Sequence, residues 1–257
     1  MDNVLAIAGS TYAQHAKSKA LYLLWILLIV LITSANRYDV LSIGRSKVLL
    51  VDLGLALISL VGAGSVLVLG FEVPRELRQK VAENLLSKPV GRDQYLTGKF
   101  LGTVLFAVCN ILFVAVGFAI VVLFTKDAEP QELIIPTLGV IGMVLMLAAM
   151  GALFGSFMGE VPAVIATFLV FWFGHSTQVV AKMADQTGSV ARAVLRTIYG
   201  ILPNLDLLNT RAASSQTLFA GAAPITAAYT IESLGYALLY TLVIFLAALL
   251  VFRQRDL

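Results

Sequence analysis

The sequence predicts an all-α integral membrane protein: a single transmembrane domain over 1–257, six membrane-crossing helices, and both termini in the cytoplasm. Composition, hydropathy patterning and the placement of cations carry that prediction. Apolar residues fill 59% of the 257 positions and charged residues 13%, against about 45–50% and about 25% in soluble domains. The mean hydropathy is +0.91. The apolar excess is gathered into runs at 20–35, 48–70, 100–124, 133–157, 161–180 and 233–252, lengths suited to crossing about 30 Å of hydrocarbon as helices.

The first run reads as a span and not as a signal peptide, because no soluble mature domain follows it. With the N-terminus inside, Lys17, Lys19, Arg75, Arg78, Lys80, Lys88, Arg92, Lys99, Arg253 and Arg255 fall on cytoplasmic segments. The short outer loops carry only Arg37, Arg45, Lys47 and Lys126, the asymmetry of the positive-inside rule. The formal charge of +3 therefore belongs to a membrane surface, and nucleic acid is not an expected partner. A lone Cys109 excludes an intramolecular disulfide.

Ahead of the first span, Leu5, Ala8, Tyr12 and Ala16 share one helical face, with Asn3, Ser10, Gln14 and Lys17 on another. A helix along the inner membrane surface and a plain tail both fit this pattern. The polar stretch 72–99 then separates two long apolar runs. Pro74 suits the first turn of a new helix, and Val73, Leu77, Val81 and Leu85 recur every four residues, with Leu86 widening the stripe. Arg75, Glu76, Arg78, Lys80 and Glu83 occupy the other sides, and Pro89 with Gly91 ends the helix before a span that opens near Lys99. Such a helix either docks a partner or merely anchors the loop.

Within the spans, Asp52 and His175 lie close enough to an interface to reach water, and Asn110 sits mid-span, where an interhelical hydrogen bond is expected. The connection 182–231 places Val190, Val194, Ile198 and Leu202 at spacings of four, stopped by Pro203 and Asn204. It reads as an interfacial or re-entrant helix on the outer side, either a cap or a connector.

No phosphate loop, HExxH or His/Cys metal cluster occurs in the sequence. Ser156 and His175 belong to opposite ends of their spans, which excludes them as a nucleophile–base pair. The chain is not expected to be an enzyme by itself, nor to bind a cofactor or metal.

LLSKPVGRDQYLTGKFLG, residues 85–102, resembles the segment that opens the third span in permease subunits of ABC exporters with a separately encoded ATPase, the ABC-2-type permeases. Glu76, the Leu85 to Pro89 turn, Arg92, Tyr95 with Leu96, and Gly98 with Lys99 match that pattern. STYAQHAKSKALY resembles the family's surface helix, ILPNLDLLNTR its Pro-Asn turn before the last span, and FRQRDL its ending. The chain departs from the pattern at Lys80-Val81-Ala82, where a Thr-containing turn is usual, and at Gln14, where an acidic residue is usual.

The resemblance implies a membrane subunit of an ATP-driven exporter in a bacterial cytoplasmic membrane, paired with a second permease copy or a related permease. An ABC ATP-binding subunit would hold ATP and Mg. It assigns docking and coupling to Glu76, Leu77, Arg78, Val81, Glu83, Leu85, Leu86, Pro89, Arg92 and Lys99, with Tyr12, Gln14 and Lys17 as surface-helix contacts. On this reading Glu76→Arg uncouples the ATPase and leaves the membrane fold intact. A self-contained carrier or channel and a non-transporting scaffold are the rival functions, and the substrate is not legible.

Overall fold

A computed structural model describes residues 2–17, 46–79, 90–125, 133–175, 192, 202–209 and 227–255. The predicted first span at 20–35, residues 80–89 of the predicted polar helix and its Pro89 break, and most of the 182–231 connection lie outside the described residues. All regular structure among the described residues is helical: α1 (Asp2–Ala16), α2 (Ser46–Arg78), α3 (Arg92–Thr125), α4 (Ile134–Phe157), α5 (Glu160–Gly174), α6 (Ala227–Arg253), and a 3-10 turn at Leu205–Leu207. α2, α3, α4 and α6 are long and apolar enough to cross a membrane, and α5 is a shorter apolar helix.

α4 is the central post, packed against α2, α3, α5 and α6. Its sequence suits that place. Gly139, Gly142, Ala148, Ala149, Gly151, Ala152 and Gly155 are all buried, and small residues let neighbouring backbones approach where no water drives helices together. Gly142 faces Leu208, Leu234 and Ala237, so the segment after the 3-10 turn and the start of α6 close over α4. Leu205 seats on Gly174 at the end of α5, while Tyr229 donates to the Leu207 carbonyl at 2.9 Å and the Asn204 N–H donates to the Tyr236 hydroxyl at 3.1 Å.

Several polar side chains inside the helices are satisfied locally, as a hydrocarbon surround favours. Ser59, Ser65, Thr137, Ser156 and Thr167 each donate to the carbonyl four residues back. Asn110 Nδ2 donates to Ser65 Oγ at 3.0 Å, joining α3 to α2, the interhelical bond expected of it. His175 instead follows the last turn of α5, its Nδ1 2.9 Å from the Phe171 carbonyl.

The structure differs from the sequence reading at the polar stretch. No new helix begins at Pro74. α2 runs unbroken through it to Arg78, and α3 already begins at Arg92. At 33 and 34 residues each helix is about 50 Å long, well beyond the hydrocarbon thickness. Both therefore project past the membrane at one end. A proline inside a helix forfeits one hydrogen bond. Burial of Val73 and Leu77, 0% and 8% exposed, together with the ionic contacts of Glu72 and Glu76 described below, offsets that loss.

The face buried by α1 also differs. Ile7, Ala8, Thr11 and His15 are buried, whereas Leu5 is exposed. α1 lies on α3 because Gly98 and Gly102, one turn apart, leave a trough. A Cβ at Gly98 would lie 2.7 Å from the Ile7 side chain, and one at Gly102 would lie 2.6 Å from the Ala8 carbonyl and 2.7 Å from Thr11 Cβ.

Two substitutions test this seat. Gly102→Ala pushes α1 off α3, with an expected loss of about 1–3 kcal/mol, read as a lower melting temperature in detergent and faster trypsin cleavage at Lys17. Gly9→Ala, on the open side of α1 where a Cβ meets nothing within 4 Å, holds or raises stability by up to about 1 kcal/mol.

Candidate functional site

At the projecting ends of α2 and α3, beside α1, lies a buried ionic hub. Glu72 and Glu76 are four residues apart on α2, and Tyr95 and Lys99 four apart on α3, so each pair points from one face of its helix. Lys99 Nζ lies 3.1 Å from Glu72 Oε1 and 2.6 Å from Glu76 Oε1, and 3.4 Å from Gln14 Oε1 on α1. The Tyr95 hydroxyl donates to Glu76 Oε2 at 2.7 Å. Lys99 is only 4% exposed.

His15 closes the hub from α1. Its Nε2 stands 3.2 Å from Glu72 Oε2 and 3.2 Å from Thr103 Oγ1, and its ring packs on Phe106 at 5.3 Å. The contact with Thr103 has hydrogen-bond geometry, while Glu72 Oε2 faces the ring as an ion-pair partner when Nε2 carries a proton. Bare, Nε2 accepts from the threonine. Two carboxylates and one ammonium leave one negative charge, which a protonated His15 cancels. Buried charges persist only when paired and hydrogen-bonded, and here the pairs run between helices: both glutamates from α2, Lys99 from α3 and His15 from α1.

A second set of contacts binds the same end of the bundle. Arg92, at the start of α3, donates to the carbonyls of Arg253 (2.9 Å), the last residue of α6, and Arg255 (2.8 Å), two residues beyond it. Arg255 donates to the Ser156 carbonyl at 2.9 Å, at the end of α4. Guanidinium groups thus meet two helix C-termini, where free carbonyls and the helix dipole favour a cation. Arg253 holds the Asp93 carboxylate with both arms of its fork, Arg78 reaches Glu160 at 2.6 Å, and Asp93 and Glu160 stand in the first turns of their own helices. Tyr95 stacks on Phe252 and Phe100 on Phe245 beneath this rim.

The docking residues taken from the sequence fall into three groups. Glu76, Leu77 and Lys99 are turned into the bundle, and Arg92 caps α6. Arg78 is exposed, and so is Lys17, while Tyr12 packs edge-on to Phe106 and Gln14 faces Lys99. Val81, Glu83, Leu85, Leu86 and Pro89 lie outside the described residues. Sequence reasoning missed His15, Glu72 and Thr103 as members of one site. The signal was present in the matched spacings of EVPRE and YLTGK, two acids and a tyrosine–lysine pair at intervals of four. A crevice of about 10 Å³ near His175, Ser59 and Asn209 holds at most one water and offers no room for a substrate.

The family model described as ABC-2 family transporter protein matches the chain over residues 5–257. No curated protein matches it.

The hub makes a double demand on mutants. Lys99→Met leaves two buried carboxylates facing each other and costs about 3–5 kcal/mol, measured as a drop in thermal stability in detergent. Adding Glu72→Gln and Glu76→Gln to Lys99→Met removes the uncompensated charge and restores most of that loss.

Proposed function

Because the chain belongs to the ABC-2 family of transporter proteins, as a multi-pass permease subunit of an ABC transporter, we propose that it couples ATP hydrolysis by a separate ATPase subunit to export of a substrate. The observation that carries this reading is the ionic hub, which ties α1, α2 and α3 together where the two long helices leave the membrane. The ATPase binds beside that hub, on the cytoplasmic side that the cation distribution favours, through the stretch 80–89 and the exposed Arg78.

The permease supplies an element with two arrangements and the ATPase supplies the differential binding that selects between them. Closure of the ATPases shifts the ends of α2 and α3. Lys99 and His15 make α1 follow. The Arg92 and Arg253 contacts carry the displacement to α6, and Arg255 carries it to α4. ATP and Mg reside in the partner, and two permease copies in a bacterial cytoplasmic membrane flank the pathway. Polar groups described within the spans are largely engaged by neighbours in the same protomer, which favours an apolar or amphipathic cargo such as a lipid, peptide or drug.

Glu76→Arg is not a clean test of docking in this fold, since it sets a second cation against Lys99 and breaks the hub. Leu85→Asp is the better variant. The tagged wild-type chain, purified from its host in mild detergent, is expected to bring down a soluble ATPase in near-equal amount. Leu85→Asp loses that ATPase while keeping the wild-type melting temperature. Transport by the purified chain in vesicles without ATP overturns the reading in favour of a self-contained carrier. A retained partner whose ATPase activity no substrate stimulates turns it toward a scaffold.

A further inference from the structure

The two oxygens of Glu72 are treated differently. Oε1 takes the Lys99 ammonium at 3.1 Å, whereas the buried Oε2 meets no hydrogen-bond donor among the described residues. Buried polar atoms are nearly always satisfied, and each exception calls for a reason. Facing Oε2 at 3.2 Å is Nε2 of His15, itself only 4% exposed.

The charges around this imidazole do not balance without it. α2 presents Glu72 and Glu76, and α3 presents Lys99, together with Thr103 and Phe106. Tyr95 of α3 is bonded to Glu76. On α1 itself, Gln14 faces Lys99, Tyr12 stands against Phe106 and Cys109, and Lys17 is exposed. Arg75 and Arg78 of α2 are exposed, and Arg253 engages Asp93 at the rim. The buried acids thus outnumber the buried ammonium by one. Among the described groups of this cluster, the imidazole is the one whose ordinary charge change falls between about pH 5 and 8.

The same nitrogen stands between two helices. α1 is seated along α3, over Gly98 and Gly102, and its described ion pair to α2 is His15 with Glu72. Bare, Nε2 is an acceptor that suits the Thr103 hydroxyl of α3 and gives the orphaned oxygen of α2 nothing. Protonated, it gives that oxygen a charged partner. We propose that His15 Nε2 and Glu72 Oε2 form a proton-binding site whose occupied form ties α1 to α2. The proton is taken from water and adds to the neutral imidazole, with no other bond made or broken. Its loss leaves α1 held by its seat on α3. The inference concerns the fold and does not depend on the transporter reading.

Thermal unfolding of the full chain in detergent at pH 6 and pH 8.5 tests this. A proton bound in the folded state adds stability at the lower pH, and that stability is lost as the imidazole discharges. The margin of wild type over His15→Gln is therefore expected to be larger at pH 6, by about 2–4 °C. In a Glu72→Gln background the pH-dependent part of that margin disappears. An equal margin at both pH values overturns the proposal and makes His15 a neutral packing residue. A pH-dependent margin that survives Glu72→Gln overturns the pairing. If His15→Gln does not accumulate, nitrogen NMR gives the same decision, because the chain has two histidines and His175→Gln leaves His15 as the one ring observed. That ring is expected to be charged at pH 6, and neutral at pH 6 once Glu72→Gln is added. A neutral ring with Glu72 in place, or a charged ring without it, overturns the proposal.

Discussion

Lys99 is the constraint on which the projecting end of this bundle depends. Its ammonium is the only cation among the described contacts placed between Glu72 and Glu76, and burial makes that placement obligatory. In water such pairs contribute little. Out of water, an unpaired member costs several kcal/mol. The geometry of three helices is fixed accordingly. α2 must stay helical through Pro74 for its two glutamates to share a face, α3 must begin early enough to bring Tyr95 and Lys99 opposite them, and α1 must lie close enough for His15 and Gln14 to complete the shell.

Around the hub, the cations of this end are employed as structural caps. Arg92 and Arg255 meet the carbonyls that end α6 and α4, and Arg253 and Arg78 hold acids in the first turns of α3 and α5. These are long-range contacts, several of them joining positions more than 90 residues apart in the chain. The helices are tied at their tips, while the Gly- and Ala-lined contacts of α4 let neighbouring helices approach closely deeper in the bundle.

The sequence reading and the structure part company where polarity was taken for exposure. Glu76 stands in a charged stretch, and a one-dimensional pattern assigns such a residue to solvent. Its partners Tyr95 and Lys99 lie 19 and 23 residues on, on a different helix, so their convergence depends on how the two helices meet. Pro74 misled in the same way, because propensity places proline at a helix start while packing of Val73 and Leu77 carried the helix through it. Asn110 was legible because a lone amide deep in a span has few ways to be satisfied. The resemblance to ABC-2 permeases was legible because residues 85–102 carry a local order of residues that does not depend on tertiary contacts.

Hydrophobic runs separated by cation-rich segments determined by themselves that this chain is a helical membrane protein, since hydrocarbon accepts only backbones that satisfy their own hydrogen bonds. The same one-dimensional information carried the family. Which face of each helix turns inward was decided by the tertiary structure alone. Glycine troughs at Gly98 and Gly102 selected the buried side of α1, and the charge balance among His15, Glu72, Glu76 and Lys99 selected that of α2 and α3. Close packing and desolvation act between helices, and neither leaves a complete record along a single strand of sequence.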